Sequence, residues 1–187
     1  MLKRLVQAGS MVMMMACASV ELPASAQQAA SPPPATQAAP CAGAEFHHMD
    51  FWLGSWDGRW DASPGQPAGQ GTNVVTRDFD GCVIHEHFNG GSSTGNLLGE
   101  SWSLYHAPAQ HWRQTWVDNQ GGYFALIGGL EGDKFILISK SISDNTPRQR
   151  MVYEDITPNS FTWRWQRTAD QGATWTDSWV IHYTRQH

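Results

Sequence analysis

Hydrophobic and polar residues alternate along most of the chain from about residue 53 to its end. In residues 161–166 aromatic side chains occupy every second position, and threonine, arginine and glutamine fill the positions between them. The same alternation runs through Trp179, Ile181 and Tyr183 near the C-terminus. Because successive side chains of a β-strand point to opposite faces of the sheet, this period of two predicts strands with one buried face.

Turn-forming residues divide this region into about ten short strands. Glycine, proline, asparagine and aspartate cluster between the alternating segments, as at residues 89–93, and such clusters mark turns. A helical turn or two is expected around residues 46–52. The predicted strands cover residues 53–61, 71–79, 82–88, 97–106, 111–117, 123–130, 134–141, 148–156, 161–167 and 174–185.

The short links between these strands determine how they pair. Links of a few residues join antiparallel neighbours, since a parallel crossover needs a dozen residues or more. A meander of ten strands also leaves two exposed edges unless the sheet closes on itself. We therefore predict an all-β fold, a single antiparallel up-and-down barrel of about ten strands with a short N-terminal helix. A β-sandwich is the alternative.

The first 44 residues differ in composition from the rest. Lys3 and Arg4 precede an apolar run at 5–20, and small residues follow at 24–26, which is the order of a secretory signal peptide. We predict a signal over 1–26, a Pro/Ala/Gln-rich tether over 27–44 and a barrel domain over 45–187. The product would be periplasmic or secreted. Lipidation at Cys17 is the alternative form of export, and no segment is long enough to be a transmembrane helix.

Cysteine use and charge fit an exported protein. Removal of the signal leaves an even pair, Cys41 and Cys82, which in an oxidising compartment is expected to form a disulfide. The formal charge is −5 without a basic cluster. That balance argues against nucleic acid or an anionic membrane as partner.

A glycine and a tryptophan on the first strand carry a family resemblance. Gly54-Ser55-Trp56 begins that strand and Arg185 ends the last one. This pattern resembles the lipocalin-like (calycin) barrels, in which an arginine from the last strand stacks on the tryptophan. From Phe51-Trp52 to the last strand, the sequence is similar to bacterial exported proteins of domain-of-unknown-function family 1579. That resemblance implies a calycin-like barrel and no established activity, so it assigns no catalytic residue.

The densest cluster of polar side chains with possible chemical roles is His85-Glu86-His87. The two histidines lie on one face of the third predicted strand and Glu86 lies on the other. If the histidine face is inside, His85 and His87 are candidates for a metal or a haem; otherwise no cofactor is predicted. If the Glu86 face is inside, this carboxylate is a candidate for orienting a ligand or for acid–base chemistry. The two hypotheses exclude each other.

Aromatic residues on three later strands form the candidate ligand-binding wall. In a barrel of this size, the expected ligand-binding site is an interior pocket lined by such side chains. The leading prediction is an exported barrel that binds a small apolar or amphipathic molecule. The alternatives are a barrel enzyme (an isomerase, cyclase or hydrolase) using Glu86 or the histidines, and an envelope protein without a ligand. The predicted lining residues are Trp112, Gln114, Trp116, Trp163, Trp165, Trp179 and Tyr183.

Overall fold

The computed structural model describes residues 40–187 except 64, 66 and 141–145. The predicted signal peptide, the lipidation alternative at Cys17 and residues 27–39 of the predicted tether lie outside the described residues. The last residue of the seventh predicted strand, Ser141, does so as well.

Ten antiparallel strands form one closed barrel, which confirms the predicted fold class. Each strand pairs with the next along the chain, and β1 pairs with β10 to close the sheet. No predicted boundary differs from the observed one by more than two residues. The strands are β1 Gly54–Trp60, β2 Gly69–Asp78, β3 Val83–Asn89, β4 Leu98–His106, β5 His111–Asp118, β6 Tyr123–Glu131, β7 Lys134–Lys140, β8 Pro147–Glu154, β9 Ser160–Arg167 and β10 Thr176–Arg185.

The short helix expected before β1 is present as two 3₁₀ segments, Ala44–His47 and Asp50–Trp52. Three further 3₁₀ turns lie at Phe79–Gly81, Ser92–Thr94 and Ala107–Ala109. Within the part of the chain that the structure describes, no helix is long and apolar enough to cross a membrane.

Residues 44–52 cover one end of the barrel, which we call the closed end. It is the end at which β1 begins and β10 ends. The ring of Phe51 contacts Tyr153 of β8 and Phe161 of β9 with centroids 5.8 and 5.9 Å apart. Trp112 of β5 donates a hydrogen bond from Nε1 to the carbonyl of Glu45 at 3.1 Å. Contacts with strands around the barrel fix this segment as a plug.

Arg185 joins the plug to both terminal strands. Its guanidinium lies over the Trp56 ring, 4.0 Å from the centroid. Its nitrogens also donate to the carbonyls of Leu53 at 2.6 Å and Pro158 at 2.7 Å. Gly54 is required beside it, because a side chain here would meet Arg185 Nη1 and the backbone φ of +120° disfavours any other residue.

A disulfide joins Cys41 to Cys82, as predicted from the cysteine count. Cys41 precedes the plug, and Cys82 lies in the turn between β2 and β3. The bond therefore attaches the N-terminal side of the plug to the barrel wall at the closed end.

Candidate functional site

A cavity of about 130 Å³ occupies the barrel interior, between the plug at one end and the open end of the barrel. Its base is made of buried residues near the plug, among them Trp52, Tyr153 and Tyr183. At the other end of the barrel its walls are only partly buried and form a mouth. The mouth residues are Leu97, Trp116, Asp118, Phe124 and Trp165.

Glu86 is the acidic group at the base of this cavity. It lies on the inner face of β3, between the buried Ile84 and Phe88. Asn73 donates from Nδ2 to Glu86 Oε1 at 2.8 Å, and Ser101 donates from Oγ to Oε2 at 2.6 Å. Each carboxylate oxygen thus has one neutral donor from a neighbouring strand, and the paired cation that normally accompanies a buried carboxylate is absent from these contacts.

Burial raises the pKa of Glu86 to about 7, because the charged form loses its hydration inside the barrel. The hydrogen bonds from Ser101 and Asn73, and then the nearby His85, lower the pKa and partly offset that effect. Glu86 therefore changes charge near neutral pH. A carboxyl group of this kind can accept a proton, donate one, or hold a cationic group.

Two tyrosines share the base with Glu86. Burial raises the pKa of Tyr153 and of Tyr183 well above the usual tyrosine value, and the nearby Glu86 raises both further. Both phenols are therefore neutral and act as hydrogen-bonding groups. Tyr183 is fixed by stacking on Phe161 with ring centroids 4.7 Å apart.

Tryptophans form the wall above this polar base. Trp163 and Trp165 stack in parallel with centroids 6.3 Å apart, and Trp179 meets Trp163 edge-on at 5.8 Å. The indole Nε1 of Trp179 lacks a hydrogen-bond partner among residues 40–187 as described, and so does that of Trp52. A buried indole N–H usually has an acceptor, so these two N–H groups are available to a bound molecule.

Five of the seven predicted lining residues contribute to the cavity. They are Trp116, Trp163, Trp165, Trp179 and Tyr183.

The other two predicted residues, Trp112 and Gln114, point inward but do not line the cavity. Trp112 packs edge-on against Phe135 near the plug, and Gln114 donates to Ser103 Oγ at 2.9 Å. The alternation along β5 identifies their face correctly. It does not give their depth in the barrel, and the plug fills the space at that level.

Sequence reasoning missed several lining residues. Asn73 and Tyr153 belong to alternating strands and were detectable as inward positions by the same period of two. Met151 lines the cavity two positions before Tyr153. Phe124 was harder to find, since β6 carries apolar residues on both faces.

The histidine pair lies on the outer face of β3, so it faces away from the cavity. His85 is partly buried and His87 is exposed, while Glu86 between them is buried. A metal or haem inside the barrel therefore cannot be held by His85 and His87. Because Glu86 lies inside, the hypothesis compatible with the cavity is that Glu86 orients a ligand or takes part in acid–base chemistry.

Comparison with known proteins adds no assignment. No family model matches the chain, and no curated protein matches it. The cavity and its residues are therefore the basis for a functional assignment.

Proposed function

We propose that this protein is an exported binding barrel for a small, largely apolar molecule that carries one polar, preferably cationic, group. The apolar part would lie between the tryptophans and the polar group would pair with Glu86. The carrying observation is the cavity itself, with an aromatic wall over a single buried carboxyl group. Export is supported by the N-terminal sequence pattern and by the disulfide between Cys41 and Cys82.

The size of the cavity restricts the ligand. A cavity of about 150 Å³ lined by apolar side chains holds one benzene molecule. The present cavity, of about 130 Å³, suits one aromatic ring or a short branched chain, with any longer part emerging through the mouth. An apolar ligand without a polar group would leave the Trp179 N–H and the Glu86 carboxyl without new partners.

The resemblance to calycin barrels of domain-of-unknown-function family 1579 agrees with this proposal. Its supporting features are Gly54 and Trp56 on β1 and the stacked Arg185 at the end of β10. We infer a calycin-like protein from them.

Three probes of one shape test the proposal: phenethylamine, phenylacetate and ethylbenzene. Binding is followed by quenching of tryptophan fluorescence, since four tryptophans line the cavity wall and mouth. At pH 8 phenethylamine should bind at least tenfold more tightly than phenylacetate, because ionised Glu86 attracts the ammonium group and repels the carboxylate. Glu86→Gln should weaken this preference strongly, with only Asp118 at the mouth still favouring the ammonium group, and should retain the binding of ethylbenzene.

Native mass spectrometry of the protein isolated from its own host complements these probes by identifying a retained molecule. If none of the three probes quenches fluorescence at millimolar concentration and no molecule co-purifies, the binding proposal is wrong.

A second candidate function is proton-transfer catalysis by Glu86. The specific observation is a carboxyl group with a pKa of about 7 inside a cavity, since a general acid or base works best near the operating pH. In this case Glu86→Gln abolishes conversion of the co-purified molecule and changes its Kd by less than about tenfold. Equal conversion by the variant and the wild type would remove Glu86 from the reaction.

A further inference from the structure

Two histidines and a glutamate converge on the outer face of the barrel. His85 and His87 are two positions apart on β3, and Glu100 of β4 lies opposite His87 in the strand register. One ligand atom from each of the three residues lies within 4.8 Å of the others. Sequence spacing identifies the two histidines, but Glu100 is 13 residues beyond His87 and joins them only through strand pairing.

The distances in this cluster are close to those of a metal site. His85 Nε2 lies 3.2 Å from Glu100 Oε2, and His87 Nδ1 lies 3.2 Å from Glu100 Oε1. Zinc bonds of about 2.0–2.2 Å in a tetrahedron separate neighbouring ligand atoms by about 3.4 Å. Small rotations of the side chains therefore suffice to bring all three to one ion.

The ring of His85 is held in position from two sides. It stacks on Trp102 with centroids 4.6 Å apart and planes 18° apart. On the side away from Glu100, its Nδ1 lies 3.3 Å from Asp78 Oδ2. A carboxylate beside Nδ1 attracts a proton to that nitrogen and so leaves Nε2 as a metal ligand, and such carboxylates are common beside the histidine ligands of zinc.

The charges around His85 also suit a cation. Two carboxylates lie beside its ring, Asp78 at 3.3 Å from Nδ1 and Glu100 at 3.2 Å from Nε2. A divalent ion bound at Nε2 would be shared with Glu100 and His87, and it would lie close to these negative charges.

We propose that His85, His87 and Glu100 form a binding site for one divalent transition-metal ion of the zinc type, with Asp78 as the positioning residue for His85. Two imidazoles and one carboxylate suit zinc, and three protein ligands leave a coordination position for water or for a further ligand. His87 and Glu100 are about half exposed, so the ion can reach the site from solvent. The site is separate from the cavity, which lies on the other side of β3.

Isothermal titration calorimetry with zinc chloride on the untagged mature protein tests this proposal. We expect one ion per chain with a Kd below about 10 µM. His87→Ala and Glu100→Gln should each weaken binding at least about 100-fold, and Asp78→Asn about tenfold, since loss of a second-shell partner typically costs 10- to 100-fold in affinity. All three side chains are at least partly exposed, so these variants are expected to fold.

His111→Ala is the matched control. His111 and His106 are the other adjacent histidine pair on the strands, with ring centroids 6.3 Å apart, and they belong to no three-residue ligand cluster found among the described residues. This variant should bind zinc as the wild type does. Cobalt binding gives a second readout, because Co²⁺ held by these ligands shows visible absorption that His87→Ala should abolish.

Two outcomes would overturn the proposal. The first is the lack of one-to-one zinc binding by the wild type at about 100 µM zinc. The second is zinc binding that persists at wild-type affinity in both His87→Ala and Glu100→Gln. In either case the cluster is a surface polar network that holds no metal ion, and the proposed ligand binding in the cavity is unaffected.

Discussion

The two ends of the barrel interior are built in opposite ways. At the closed end the side chains of Arg185 and Trp56 are paired: Arg185 donates to the carbonyls of Phe51 and Pro158, and Trp56 Nε1 donates to the Trp52 carbonyl at 2.8 Å. In the cavity, by contrast, Glu86 has only neutral partners and the Trp179 N–H is unpartnered within the described part of the chain. The closed end holds the fold together, while the cavity leaves polar groups without matched partners at a cost in stability.

Trp56→Ala should produce the largest loss of stability, because it removes the central contacts of the closed end. Trp56 is fully buried, and its loss removes both the ring under Arg185 and the hydrogen bond to the plug. We expect the free energy of unfolding to fall by about 5 kcal/mol, the upper part of the range for large aromatic residues. Urea denaturation measures it. Trp102→Ala, at an outer tryptophan that is 37% exposed, is the control and should cost about 1 kcal/mol.

Removal of the disulfide should come next. Cys41 and Cys82 are separated by 41 residues, and the loop-entropy model then gives about 3–4 kcal/mol for the Cys41→Ala/Cys82→Ala variant. Thermal unfolding with and without reductant measures the loss. Reductant should destabilise the wild type and leave the variant unchanged. A variant as stable as the oxidised wild type would show that the plug stays attached without the bond.

Glu86→Gln should stabilise the protein at high pH, in contrast to the changes at the closed end. The folded-state pKa of about 7 lies above the ordinary value of 4.5, so the folded protein holds an extra proton between these values. Stability from this group is complete below pH 4.5 and is lost as pH rises through 7. At 1.36 kcal/mol per pKa unit, the wild type should lose about 3 kcal/mol relative to the variant between pH 4.5 and pH 8.

Urea denaturation of both proteins across that pH range measures the difference. Ser101 Oγ can accept a hydrogen bond from the new amide, so the variant retains its neighbours. A constant difference at all pH values would mean that folding does not raise the pKa of Glu86.

Trp165→Ala at the mouth should have the smallest effect on stability. Its ring is only partly buried, where it contacts Phe124 with centroids 5.0 Å apart. We expect a loss of about 1 kcal/mol in unfolding and at least a tenfold loss in phenethylamine affinity. Trp175→Ala is the matched control, because Trp175 packs under Arg150 outside the cavity. Equal losses of affinity in both variants would contradict a direct contact between Trp165 at the mouth and the ligand.

The sequence by itself determined the strands and their antiparallel order, and it favoured a closed barrel over the β-sandwich alternative. The period of two and the turn residues depend only on local chemistry, and the short links leave little choice of pairing. The disulfide also followed from the sequence, since removal of the predicted signal would leave two cysteines.

Only the tertiary structure decided which face of β3 is inside and how deep each inward residue lies. Alternation places His85 and His87 on one face of β3 and Glu86 with Ile84 and Phe88 on the other. The charge of Glu86 on this otherwise apolar face left the choice of interior open. Likewise, Trp112 and Trp116 share a face, yet the plug fills the level of Trp112 and leaves that of Trp116 open. The pairing of β3 with β4 brings Glu100 to the histidines, and this register cannot be read from the spacing of residues along a single strand. Contacts across strands, rather than along them, therefore determine both candidate sites.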